Sequence, residues 1–311
     1  MDRIDTTPTD ETQPSVNRRS LMGRIGAGAA TAVALGAVAT GGAALTSAPA
    51  QAQAITTADV LNFALNLEYL EAEFYLRAAT GQGLAAGDAT GVGASGGPLV
   101  NGGVTGGSLV PFRSPAIQAY ATRIAVDEQA HVRFLRAVLG SAAVARPQID
   151  LDTAFTTLAV AAGLIVPGQR FNPFADDVSF LLGAFIFEDV GVTAYGGAAR
   201  LLSGDALEAA AAILAVEAYH AGSIRTLLAN IGAGVAVNRI AALRATLSGA
   251  ADDIGITTPT NNYNVTPTDI NALTFRRSPQ QVLRIVYGVP NAGVVRGLFF
   301  PNGVNGALRS T

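Results

Sequence analysis

Apolar or small residues at Leu61, Ala64, Leu65 and Ala72 recur at the spacing of one helix face, and Thr57 stands where a cap would. The pattern predicts a helix from there to about Ala79. Ser114-Pro115 offers a capping hydroxyl and then proline in the first turn, so a second helix is expected to Leu139, stopped by Gly140. A third runs from near Asp176 to about Leu202, with Gly204 beyond its end. Asp205 then caps a fourth that ends near Asn230. Each is longer than an average globular helix, as a bundle requires.

The connections add to this picture. Ser203-Gly204 is a tight turn, which makes the third and fourth helices antiparallel neighbours. A much longer connection joins the second and third and suits a crossover; Asp152 to Ile165 within it reads as a short helix. Residues 80–113 hold eleven glycines and almost no charge. A flexible insertion is expected there, in preference to a lid or a partner surface. From residue 231 to 311 the helical stretches Val237–Leu247 and Pro279–Tyr287 sit among Gly-, Pro- and Asn-rich segments. That region reads as an extension packed on the bundle, so the folded domain is placed at 53–230.

Residues 1–52 read as an address. Asn17-Arg18-Arg19-Ser20-Leu21-Met22 sets a twin arginine before a Gly/Ala-rich apolar run, and Ala48-Pro49-Ala50-Gln51-Ala52 offers small-residue cleavage sites. Together these resemble a Tat export signal, which implies a periplasmic or extracellular protein without stable membrane insertion after cleavage. A formal charge of −3 carries no nucleic-acid footprint. Cysteine is absent, which removes disulfides, thiolate ligands and cysteine nucleophiles together. Any metal site must then use carboxylates and imidazoles, and the chain has 2 histidines.

Both histidines follow a glutamate by three residues, in Glu128-Gln129-Ala130-His131 and Glu217-Ala218-Tyr219-His220. On a helix this spacing puts each pair on one face, able to converge on one ion. The other two helices each carry a glutamate on an apolar face: Glu68 near Leu61, Leu65 and Ala72, and Glu188 near Leu181, Ala184 and Val192. A buried lone carboxylate is costly unless a cation holds it ionised. The chain also repeats itself. Tyr75 follows Glu68 by seven residues, as Tyr195 follows Glu188. Aligning Glu128 with Glu217 pairs Ala121 with Ala210, Ile124 with Ile213, His131 with His220, Arg136 with Arg225 and Leu139 with Leu228. Two similar half-sites in a pseudo-twofold bundle are therefore expected. Glu68 is preferred to Glu71, nearly on the same face, because its tyrosine spacing recurs. Glu73 is expected in solvent, Asp189 beside the site or on the surface, and Asp127 and Arg136 as ordinary surface residues. Tyr75 and Tyr195 are candidate catalytic phenols or hydrogen-bond donors beside the metals, with core packing as the other reading.

Residues 55–230 resemble the ferritin-like superfamily, most closely its Tat-exported, desiccation-related members. The segment Arg277-Ser278-Pro279-Gln280-Gln281-Val282-Leu283-Arg284-Ile285-Val286-Tyr287-Gly288, with Phe299-Phe300-Pro301, resembles that subgroup's ending. The resemblance implies an all-α, ferritin-like four-helix bundle with a long crossover and an irregular C-terminal extension. It implies Glu68, Glu128, His131, Glu188, Glu217 and His220 as ligands of two Fe or two Mn ions. The Gly-rich insertion and long tail count against cage assembly and iron storage. A thiolate-free oxygen and nitrogen site suits those metals. The leading expectation is an oxidoreductase acting on a small oxidant, O2 or H2O2, in the manner of a ferroxidase or peroxidase. Manganese-catalase-like dismutation of H2O2 and a non-enzymatic protective role in desiccation or stress are the alternatives. No nucleic-acid partner is expected, and a homodimer is admitted.

Overall fold

The computed structural model describes residues 54–93, 98–99, 102–257 and 263–311; the export-signal reading of residues 1–52 lies outside them. Four long helices form the frame: α1 (Thr57–Thr80), α3 (Pro115–Leu139), α5 (Asp177–Ala198) and α6 (Gly204–Asn230). Shorter ones are α2 (Ala86–Ala89), α4 (Thr153–Ala161), α7 (Gly234–Ser248) and α8 (Pro279–Tyr287). The chain is all-α in class, as expected. Among the described residues, four two-residue strands, β1 (Gly91–Val92), β2 (Pro98–Leu99), β3 (Val104–Thr105) and β4 (Ile149–Asp150), make two small ladders.

Local chemistry sets the helix ends. Thr56, one residue earlier than expected, caps α1 in a reciprocal box with Asp59, accepting from the Asp59 N–H while that carboxylate accepts from the Thr56 N–H. Ser114 accepts from the Ile117 N–H at the start of α3, and Pro115 occupies the first turn. Asp176 accepts from the Ser179 N–H to open α5. Asp205 is not the cap of α6. Ser203 holds that place without a side-chain bond, and Asp205 lies in the first turn, where a negative charge favours the helix dipole.

The frame is two antiparallel hairpins. In the first, Asn62 of α1 reaches Ala142 beyond the end of α3, while Tyr69 meets Arg136. In the second, the turn at 199–203 brings α6 back along α5. α5 is buried along nearly its whole length, which explains an apolar sequence without a polar face. Its length and composition would allow a membrane span; here α1, α6, α7 and α8 cover it.

The crossover and the tail complete the core. Phe74 of α1 stacks on Phe180 at 5.6 Å and meets Phe155 of α4 and Phe187 of α5. Phe299 of the tail closes the cluster, 5.1 Å from Phe155 and 5.0 Å from Phe187. Such rings contribute through buried area and edge-to-face contact. The described parts of the Gly-rich insertion are pinned as well. Val92 pairs with the backbone at 143–145, and β3 runs parallel to β4. Gly91 is required there, since a Cβ would stand 2.3 Å from the Ala143 carbonyl oxygen.

Candidate metal centre

The structure brings all six of the expected residues to one place midway along the bundle. Glu68 comes from α1, Glu128 and His131 from α3, Glu188 from α5, and Glu217 and His220 from α6. Side-chain atoms of Glu68, Glu128, His131 and Glu217 lie within 4.8 Å of one another, and so do those of Glu128, Glu188 and His220. Glu128 belongs to both groups. Its Oε2 is 3.3 Å from His131 Nδ1 and its Oε1 is 3.1 Å from His220 Nδ1. Glu68 Oε2 stands 3.2 Å from His131 Nδ1, and Glu188 Oε2 stands 3.3 Å from His220 Nδ1.

Proximity here is not matched by hydrogen bonding. Both oxygens of Glu188, both of Glu217, Glu68 Oε2, Glu128 Oε1 and His220 Nδ1 are buried without a hydrogen-bond partner. Buried polar atoms are nearly always satisfied, because an orphan costs about 1–3 kcal/mol and more when charged. Seven orphans aimed at one region form a donor set suited to cations. Four carboxylates carry the charge to neutralise two divalent ions, with both imidazoles neutral. The residues present fit a pair of metal ions.

Without a cation, the same crowding distorts every titration. Burial raises Glu68 to about 7, against the pull of His131. Burial, and then the charges of Glu71, Glu128 and Glu188, raise Glu217 well above the carboxylate range. Burial would raise Glu128 too, but the hydrogen bond with His131 and the charges of both imidazoles outweigh it and hold Glu128 low. Burial acts to lower the imidazoles, yet their carboxylate neighbours win and raise each to about 11. The metal-free centre therefore holds protons where the loaded centre would hold ions.

The two tyrosines cross the bundle. Tyr195 of α5 donates to Glu68 of α1, a short contact between fully buried groups. Tyr75 of α1 lies against Glu188 of α5, although its hydroxyl has no aligned partner. Each tyrosine thus serves the glutamate of the opposite helix. Burial, then carboxylate charge, raises both phenols well above their usual range, so both stay protonated.

Several expectations for the surrounding residues are corrected. Glu73 is fully buried, because the insertion covers that side of α1; it pairs with Arg77 and Arg146. Asp189 is neither exposed nor a neighbour of the cluster, since it pairs with buried Arg225 and Arg244. Arg136 is not an ordinary surface group: it donates to the Tyr69 hydroxyl at 2.6 Å and to the carbonyls of Gly87 and Thr90. Asp127 touches the site, with Oδ2 at 3.3 Å from His220 Nε2. Glu71, the discarded alternative to Glu68, is buried just outside the six, and burial plus the neighbouring carboxylates raise it well above its usual range. The repeat had a signal for this. Glu71 stands where Gly191 stands in the second half, and a Cβ on Gly191 would lie 2.1 Å from Glu217 Oε2 and 3.4 Å from Glu71 Oε1. The missing side chain makes room for Glu217.

Comparison with known proteins agrees with the geometry. Residues 56–230, the whole four-helix frame, match the ferritin-like domain family. The chain belongs to that family. A protein of Nesocodon mauritianus named ferritin-like catalase is 31% identical over 274 residues, covering 80% of this chain and 84% of its own length. A protein of Craterostigma plantagineum named desiccation-related protein is 32% identical over 244 residues, covering 72% of this chain and 75% of its own. No solved structure matches. The ferritin-like assignment covers the helices that carry all six clustered residues; α7 and α8 lie beyond it.

Proposed function

We propose that this chain is an exported oxidoreductase that dismutates hydrogen peroxide at a dinuclear manganese or iron centre. The observation that carries the metal reading is the convergence of seven unpartnered buried ligand atoms from four helices. Glu68, Glu128, Glu188, Glu217, His131 and His220 would hold the two ions, with Glu128 placed to reach both. When bound, such a pair supplies a two-electron redox change and Lewis-acid polarisation of a small oxidant. The similarity to a protein named ferritin-like catalase favours dismutation over the ferroxidase or peroxidase reading. In dismutation one peroxide is oxidised to O2 while the other is reduced to water, so no outside reductant is needed. A chain without cysteine suits that economy.

The protein's own groups have separable tasks. Tyr195 donates to Glu68 and keeps one of its oxygens from swinging away from His131. Tyr75 stands in the corresponding place at Glu188. Glu71, raised by burial and outside the six, keeps a proton close to the centre. The Phe74, Phe155, Phe187 and Phe299 cluster closes the core between α1, α4, α5 and the tail. The twin arginine at Arg18-Arg19 supports export in the folded state and a periplasmic or extracellular location.

The test is gas evolution by the purified, manganese-loaded protein. One O2 for every two peroxides consumed, lost after chelation, is expected. Peroxide consumption only with an added reductant, and no O2, would replace dismutation by peroxidase chemistry. A second reading, a protective protein without turnover, is favoured by the likeness to the desiccation-related protein. It requires that Glu128→Ala keep whatever protection the wild type gives during drying.

A further inference from the structure

Besides Glu71 and Gly191, the internal repeat fails at a second position that touches a proposed ligand. A histidine that offers Nδ1 to a metal carries its proton on Nε2, and an acceptor there fixes the tautomer, orients the ring and strengthens the ligand. His220 has that arrangement. Its Nδ1 faces Glu128 and Glu188, while Asp127 Oδ2 lies 3.3 Å from its Nε2. Asp127 is itself held by Arg123, one helical turn earlier, through an Nε–Oδ2 bond of 2.9 Å. Arg123, Asp127 and His220 line a cleft of about 290 Å³ between α3 and α6, together with Val216 and Tyr219.

His131 is built differently. Its Nδ1 faces Glu68, Glu128 and, at 4.0 Å, Glu217. Among the described residues no side chain stands at hydrogen-bond distance from its Nε2. The alignment that pairs Glu128 with Glu217 and His131 with His220 pairs Asp127 with Val216, which cannot accept a proton. The antiparallel course of α3 and α6 agrees. Asp127 stands across from His220, so four residues further along α3 His131 comes opposite the α6 turn that carries Val216.

We infer that Asp127 is a positioning residue for the His220 half-site alone, and that Val216 in its place leaves the His131 half-site without an anchor. The two metal positions therefore differ in how their histidines are anchored, in addition to the place of Glu217, which groups with His131 and not with His220. The inference rests on the dinuclear reading above. It predicts that each position can be tuned separately through a residue that touches no metal.

The experiment titrates the metal-free full chain with Mn²⁺ against a fluorescent chelator, for wild type, Asp127→Ala and Val216→Asp. Asp127→Ala should weaken one of two ions by about 10–100-fold and leave the other within about threefold. Val216→Asp should tighten the other ion by about tenfold. In the Zn²⁺-loaded, ¹⁵N-labelled protein, Asp127→Ala should move the Nε2 resonance of His220 and not that of His131. Equal weakening of both ions, no change in either, or both variants acting on the same ion would overturn the inference while leaving the metal centre intact. A wild type that binds neither Mn²⁺ nor Zn²⁺ would instead remove the dinuclear reading. Should Asp127→Ala fail to fold in a metal-free melt, Val216→Asp decides alone.

Discussion

Two clusters of buried charge lie on α5, one residue apart at Glu188 and Asp189, and they are built on opposite principles. Around Asp189, three carboxylates meet three guanidiniums: Asp189, Asp252 and Asp253 pair with Arg225, Arg244 and Arg277. Arg225 and Arg244 also lie over the Phe185 ring, 5.1 and 4.3 Å from its centroid. Around Glu188, five buried glutamates face two histidines and leave seven ligand atoms unpartnered. The first cluster is paired within the protein and clamps Asp252, Asp253 and Arg277 onto the bundle. The second lacks a matching set of counter-charges among its own side chains and could hold cations. Charge of equal depth thus separates into a self-paired and an open kind according to whether the chain supplies its own counter-charge.

The largest test of that contrast is Arg225→Met. It leaves Asp189 with one of its two guanidiniums, and breaking a buried pair costs about 3–5 kcal/mol. Denaturant unfolding of the metal-free protein should show that loss. Removing a charge from the other cluster, by Glu217→Gln, should leave metal-free stability unchanged or higher. Equal destabilisation by both substitutions would erase the distinction.

A smaller effect is expected from pH. Glu68 is raised from 4.5 to about 7 in the folded, metal-free protein, so its protonated form is the one that folding favours. Its contribution is fully present below about 4.5 and is lost as pH rises through 7, amounting to about 3 kcal/mol. Glu71 and Glu217 are raised further and act with the same sign. Metal-free stability should therefore fall across this window in thermal melts. With Mn²⁺ the slope should reverse, because deprotonated ligands bind the ion. A flat profile in both states would mean that the carboxylates are not desolvated as described.

The smallest is Tyr195→Phe. It removes the donor to Glu68 while keeping the ring, and should cost about tenfold in affinity for one ion or in peroxide turnover. Tyr75→Phe should cost less, since the Tyr75 hydroxyl has no aligned partner. Reversed ranking of the two would show that the crossed tyrosines work by another route.

Much of the frame was legible because it rests on local rules. The cap at Ser114, the start near Asp176, the stop at Gly140, and the bounds of Pro279–Tyr287 follow from neighbours a few residues apart. The short α7 was read from Val237–Leu247 and runs over Gly234–Ser248, since nothing polar marks its start. Glu73 and Arg136 were misread because their exposure is set by the insertion folded over α1 and α3, which no periodicity in those helices announces. The insertion itself has glycines for close backbone approach, and composition alone reads these as slack.

By itself, the sequence determined which atoms could ligate. Glu-x-x-His on one helix face, a glutamate on an apolar face of each of two other helices, and a repeat linking the halves are matters of helical pitch. Only the tertiary structure decided how those atoms are shared. Glu128 spans both histidines while its repeat partner Glu217 leans into the space beside Gly191. Asp189 joins the arginine clamp while adjacent Glu188 joins the open cluster. The reason is that desolvation and charge pairing depend on elements distant in sequence, such as Arg244 and Arg277 closing over α5.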